Sequence, residues 1–364
     1  MLRSQSLLVK TPDWNILDPG SQSDPYPELA YLAGPDVYFC SNYHGFVKDY
    51  NNQPVVIYSC FGEAEPSPDL ESVLNKFKNS FTIILTHRNY PQSLEQQFNC
   101  KIIKIKYAYA YYSRKMKKQS LYQGSLPTKK FLSLNNRASW DRQALLQCLV
   151  KFDLLKDFYF SYWCEDRFGV GQKAVYDQMS SIIGNTWFNR SLDLENMYQL
   201  IPITIENDQF EGNDWSAGTD FFYQTSFASF VNESYVHETT NIGPYLSEKV
   251  MKPLAYGHPF LLFCSAGSLA TIQDLGFETF GDIFDESYDQ IQNPRIRFEH
   301  LLREVRRICA LDNAILADIT ARITPRLQHN YNHFWHTLPA LYDAEMKIVR
   351  DQVEDILSTT ARNR

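Results

Sequence analysis

An α/β fold of two parallel-sheet units is what this sequence predicts, and three observations predict it. Short apolar runs alternate with amphipathic segments through the first third of the chain, a basic and polar stretch interrupts them, and the alternation then resumes until an all-helical pattern takes over near Phe298. With 364 residues, 44% hydrophobic and 15% aromatic, and 15 glycines, the chain can bury two cores of ordinary size and is too apolar to stay disordered.

The first unit is read from DVYFC (36–40), VVIYSC (55–60), a helix near Leu70 to Phe77, FTIILT (81–86) and KIIKIK (101–106). Strands separated by helices form parallel βαβ crossovers. The stretch SRKMKKQSLYQGSLPTKK (113–130) carries a glycine and a proline and reads as a linker. The second unit follows: KFLSLN (130–135), a helix from about Trp140 to Leu149, FYFSYW (158–163), a helix after Lys173, a strand ending near Val231, a helix opening at Glu248, the strand PFLLF (259–263) and a helix after Ser268. Pro325 and Pro339 mark breaks or kinks in the terminal helices. The domain reading is 1–125, 126–325, and 326–364 as helices that pack back on the first domain.

A net charge of −7 offers no general attraction for nucleic acid, although Arg114, Lys115, Lys117 and Lys118 make a local basic cluster. The seven cysteines are scattered and contain no C-x-x-C pair, which suits a reducing compartment. No run approaches eighteen apolar residues, so a soluble, cytoplasmic chain is expected, with a membrane-peripheral placement or a trimmed anchor left open.

The densest chemistry lies in YLSEKVMKPLAYGHPFLLF (245–263), where Glu248 and Lys249 open a helix that leads into a buried strand. A carboxylate can accept both hydroxyls of a ribose, and an ammonium can meet a phosphate. In an open α/β sheet such a ligand lies beyond the carboxyl ends of the strands, beside helix N-termini whose free N–H groups favour an anion. A solvated Glu-Lys pair on an amphipathic helix is the plain alternative.

Four segments in order carry a resemblance: SCFGEAEPSPDLESVLNKF (59–77), SLNNRASWDRQALLQCL (133–149), FVNES (230–234) and the 245–263 segment. Together they resemble the α-1,3-fucosyltransferase family. That resemblance implies a GT-B fold, two Rossmann-like domains facing across a cleft, and inverting transfer of fucose from GDP-fucose to a hydroxyl of an oligosaccharide or glycan acceptor. Val231 departs from the acid that the family places before its asparagine, and the segment from Ser234 to Tyr245 is longer than the family's spacing. Another UDP- or CMP-linked donor therefore stays open, as does a catalytically silent glycan-binding protein.

Inverting transfer needs a base for the acceptor hydroxyl and stabilisation of the leaving diphosphate. Glu63, just past the strand VVIYSC and after Gly62, is the candidate base, with Glu65 as its alternate. Arg137, Arg142, Asn232 and Lys249 are the groups available to the diphosphate, and Glu248 would hold the ribose. By the resemblance, Arg142 matches the family's phosphate-binding arginine. No Asp-x-Asp occurs, so no cofactor or metal is expected beyond the nucleotide-sugar co-substrate. The oligomeric state is not legible.

Other signals are weaker. His329, His333 and His336 share a helical face, and with aromatics interleaved they read as a packing surface against the first domain in preference to a zinc site. GVGQKA (169–174) fits a dinucleotide fingerprint, but Glu165, Asp166 and Arg167 separate it from the preceding strand. CSAGSLATIQ (264–273) could present N–H groups to an anion or be capped by Ser265 or Ser268, and DIFDESYD (282–289) reads as a solvated acidic run. The tyrosine-rich 107–112 and the segment 235–244 are the expected acceptor surface.

Overall fold

The computed structural model describes residues 38–40, 55–59, 74–75, 81–87, 89–124, 126–135, 138–162, 177, 181, 203, 219–234, 236 and 243–362. The chain is α/β; among the described residues it has two four-stranded parallel sheets and a run of C-terminal helices. It divides into two compact units, one of 1–115, 240–243 and 338–364, the other of 116–239 and 244–337.

In the first unit the strands β1 (Tyr38–Cys40), β2 (Val55–Ser59), β3 (Thr82–Thr86) and β4 (Cys100–Lys104) lie in simple sequential order. Every pair is parallel. All five residues of β3 are buried, as expected of an inner strand with both faces covered. Between β3 and β4 runs the short helix α1 (Ser93–Gln97), and after β4 comes α2 (Ala110–Lys115). Within the tyrosine-rich run Tyr109 and Tyr112 are buried, while Tyr107 and Tyr111 are partly exposed. The long last helix, α9 (Leu338–Arg362), packs on α2. Its Glu345 carboxylate accepts the N–H groups of Lys106 (2.7 Å) and Tyr107 (2.9 Å), while Asp343 pairs with Arg114. The Arg114 guanidinium also lies 4.7 Å from the centre of the Tyr342 ring.

The second unit holds β5 (Lys129–Ser133), α3 (Trp140–Lys151), β6 (Phe158–Phe160), α4 (Asp220–Thr225), β7 (Ser226–Asn232), α5 (Glu248–Tyr256), β8 (Phe260–Phe263), α6 (Ser268–Asp274), α7 (Pro294–Cys309) and α8 (Asn313–Asn332). The sheet order is β6-β5-β7-β8, all parallel, with Leu132 opposite Ser229 and Asn232 opposite Phe263. The chain leaves β5 toward β6 on one side and returns to β7 on the other. The topological switch point therefore falls between β5 and β7. Every residue of β7 and β8 is buried, with α4 and α5 packed on β7 and α7 on β8.

The basic segment after α2 keeps Lys117 and Lys118 exposed but is anchored by buried Met116 and Tyr122. Tyr122 is buried, donates its N–H to the Tyr256 carbonyl (2.8 Å), and meets the His258 ring edge-on. Pro325 does not break α8, and Pro339 stands in the first turn of α9, where a proline costs little. A π-helical turn, His333–Thr337, separates those two helices. The histidines face their own unit: His329 contacts the Gly276 carbonyl (3.0 Å) and His333 the Leu275 carbonyl (2.8 Å). Gly276 has φ of 100°, and a Cβ there would stand 2.6 Å from the His333 ring. Among the described residues no helix is long and apolar enough to cross a membrane.

Candidate functional site at the carboxyl edge of the second sheet

Asn135, two residues past β5, and Asn232, the last residue of β7, meet across the switch point. Asn232 Nδ2 donates to Asn135 Oδ1 at 3.2 Å. Asn135 in turn donates its side-chain amide to the Ser133 hydroxyl (3.1 Å) and carbonyl (3.3 Å), and its backbone N–H to the Ser161 hydroxyl (2.9 Å). Both asparagines are buried, at 2% and 3% exposure, and Asn232 Oδ1 has no hydrogen-bond partner. An unsatisfied buried acceptor is costly, and it points to a donor supplied from outside the chain.

Among the described residues three helices begin at this edge, and their first turns differ. At α5 the N-cap Ser247 accepts from Lys249 N–H (3.3 Å). Glu233, the first residue past β7, accepts from Ser247 N–H (2.9 Å), Val250 N–H (3.3 Å) and the Ser247 hydroxyl (2.5 Å). At α6 the cap comes from neither serine predicted for it. Asp289, a buried member of the acidic run, takes Leu269 N–H on its side chain (3.1 Å) and Gly267 N–H on its carbonyl (2.8 Å). Two of the three helix N-termini are thus already filled by the protein's own carboxylates.

The first turn of α3 is built differently. Its N-cap Ser139 makes no side-chain cap hydrogen bond, and the Ser139 hydroxyl is buried without a partner. Arg142 stands in that turn at 7% exposure, and the side-chain amide of Gln143, fully buried, has no partner on either atom. Among the described residues, the opening of α3 thus differs from the other two in having no side-chain cap hydrogen bond from its N-cap residue and in holding the buried Asp141 in its own first turn.

Glu248 and Lys249 are partly exposed and pair with each other at 2.8 Å. Burial pushes the Glu248 carboxyl up, but the charges of Lys249 and Lys252 and the hydrogen bond from Lys249 outweigh it and hold the group below its ordinary value. Burial raises the Glu233 carboxyl, and Lys249 and the Ser247 hydrogen bonds pull it back only in part. Asp289 is likewise raised by burial against the opposing N–H groups of the α6 turn. Arg297, 1% exposed, is spoken for by the carbonyls of Val236, Ile291 and Gln292.

Of the residues predicted from sequence, Arg142, Asn232, Glu248 and Lys249 all lie on this edge. Glu63, Glu65 and Arg137 lie outside the described residues, as does GVGQKA. Sequence reasoning missed Asn135, Glu233 and Asp289. A usable signal existed for Glu233: the N-cap Ser247 is followed three residues later by Val250, so the reciprocal acid of a capping box is missing from the helix itself.

No protein-family model matches the chain, and no curated protein does. Among solved structures, an α,α-trehalose-phosphate synthase (UDP-forming) from Burkholderia vietnamiensis is similar, with a TM-score of 0.39 and 14% identity over 81% of this chain and 66% of that one. The chain spans just under two thirds of that enzyme's length.

Proposed function

We propose that the chain is an inverting glycosyltransferase of the GT-B kind, which binds a nucleotide diphosphate sugar at the carboxyl edge of β5–β8 and passes the sugar to a hydroxyl of an oligosaccharide or glycan. The observation that carries this reading is the buried Asn135–Asn232 bridge, with its unpartnered Asn232 oxygen, at the switch point of an open parallel sheet. Such a crevice is where phosphorylated ligands settle, and the groups around it suit one. Arg142 and the first turn of α3, where Ser139 makes no side-chain cap hydrogen bond, would meet the diphosphate, Lys249 adds a second cation, and Glu248 offers a carboxylate to the ribose.

The chemistry asks little more of the protein. A carboxylate takes the proton of the acceptor hydroxyl, the oxygen attacks the anomeric carbon from the face opposite the leaving group, and the carbon–oxygen bond to the diphosphate breaks with its electron pair. Arg142 and Lys249 hold the charge that develops there. Glu63 is proposed as the base, with Glu65 as its alternate, and Arg137 as a further phosphate ligand. The resemblance to α-1,3-fucosyltransferases supports GDP-fucose as the donor.

Calorimetry with GDP, UDP and CMP, each with and without a divalent metal, tests the reading. GDP binding independent of metal is expected. A preference for UDP or CMP replaces the donor while keeping the site, and silence toward every nucleotide sinks the transferase in favour of a glycan-binding protein. Glu63→Ala should abolish turnover while nucleotide affinity stays within about twofold, the pattern of a group needed only in the transition state.

A further inference from the structure

Glu233 is as buried as any described charged residue of the second unit, at 1% exposure, and it sits against the site's acid–base pair. Its own N–H extends the β7–β8 ladder by one step, to the Phe263 carbonyl at 2.9 Å. Four donors converge on its carboxylate: Ser247 N–H and Val250 N–H on one oxygen, the Ser247 hydroxyl and Ser234 N–H (3.3 Å) on the other. A carboxylate so occupied has no lone pair left for a substrate proton, so it is not a base.

Its effect passes through Ser247. A hydroxyl has one proton, and here that proton goes to Glu233, at 2.5 Å. The Ser247 oxygen then shows only lone pairs to the other side, where Lys249 brings its ammonium to 3.2 Å and its backbone N–H to 3.3 Å. The same ammonium rests on Glu248 Oε1 at 2.8 Å. An acceptor-only group at position 233 thereby sets the polarity of the whole chain from Glu233 through Ser247 to Lys249 and Glu248. A group able to donate there could turn the hydroxyl proton toward Lys249 and drive the ammonium off.

We propose that Glu233 is the positioning residue of this edge, fixing the Lys249 ammonium through the Ser247 hydroxyl; the inference rests on the nucleotide-sugar reading above. Two readouts separate the two ideas. The first needs no ligand: the rate at which an acylating reagent modifies Lys249, resolved by peptide mass spectrometry, should rise severalfold in Glu233→Gln and Ser247→Ala, with exposed Lys156 as the unchanged reference. Ser247→Thr keeps the hydroxyl and should restore the slow rate. The second is GDP affinity by calorimetry, expected to fall about tenfold in Glu233→Gln, the worth of one charge-assisted hydrogen bond, and not to fall further when the same change is made in Lys249→Met.

Wild-type acylation rates in both Glu233→Gln and Ser247→Ala overturn the proposal, and so does a GDP loss of equal size with and without Lys249. Should Glu233→Gln fail to fold, Ser247→Ala, which leaves the carboxylate its N–H partners, decides alone. A wild-type protein that ignores GDP while its Lys249 still responds to Glu233→Gln sinks the donor reading and upholds the positional link.

Discussion

At the scale of the residue, the second unit is shaped by buried polar groups, some partnered and some not. His258 is the sharpest case. It is buried, holds the Ser229 hydroxyl at 3.0 Å and the Ser226 carbonyl at 3.1 Å, and lies edge-on to Tyr122 and Tyr223. Desolvation lowers its pKa from 6.5 to about 4, against the pull of the Ser226 and Pro259 backbone. The folded chain therefore binds a proton less readily than the unfolded one. Stability is full above pH 6.5, falls as the pH drops toward 4, and loses about 3 kcal/mol from this ring alone. Urea titrations between pH 4 and 7 should show that slope, and His258→Gln should flatten it. Asn232→Ala makes a second prediction: it removes the donor to Asn135 and should cost about 1–3 kcal/mol in nucleotide affinity if the switch-point oxygen meets the ligand, read by the same calorimetry. Asn232 was legible because it ends an apolar strand. Asn135 was not, because its partner Asn232 lies 97 residues away, and for Glu233 the missing capping-box acid after Ser247 shows only that a cap must come from elsewhere, not that it comes from the residue 14 positions away.

At the scale of the element, helix ends matter more than helix middles. The C-cap Gly257 of α5 has φ of 62°, and an added Cβ would stand 2.4 Å from the Leu327 carbonyl of α8. Gly257→Ala meets both a left-handed backbone and a rigid neighbour, so it should destabilise the second unit by about 2 kcal/mol or more, measured by denaturant midpoint. In the first unit Glu345 plays the comparable part for the turn before α2. Glu345→Ala strands two N–H groups and should cost about 1–3 kcal/mol. Strands such as β3 and β8 were readable within a residue or two, since their cores are apolar runs, whereas β6 ends three residues earlier than FYFSYW suggested and only the end of β7, which carries two serines, was placed. The short helices α1 and α2 escaped notice, because five or six residues leave no period to read. Pro325 misled for a related reason. It lies inside a 20-residue helix whose packing against α5 outweighs one missing hydrogen bond.

At the scale of the whole molecule, the units differ in how the chain supplies them. The second draws β5 through β8 and α3 through α8 from one nearly continuous stretch, whereas the first takes α9 from residues more than two hundred positions beyond its last strand. Ending the chain at residue 337 should therefore raise amide hydrogen exchange in β3 and β4 while leaving β7 and β8 protected. The opposite pattern would show that α9 serves the second unit. Alternation of strand and helix made the two-sheet plan legible from sequence, since parallel strands require a crossover. The order β6-β5-β7-β8 was not legible, because apolar runs name a strand without naming its neighbour. The position of the site depends on that order.

The detached supply of α9 has a consequence for biosynthesis. A chain made from its amino end exposes the strands of the first unit early, yet Glu345 and Asp343, which cap the Lys106–Tyr107 turn and hold Arg114, are among the last described residues to be translated. The second unit has all its strands in hand before then. Folding on the ribosome should run out of sequence order, with the later-made unit closing first and the earlier-made first unit waiting for α9 to pack on α2 and the Lys106–Tyr107 turn, during which interval its strands are the segments most in need of a chaperone.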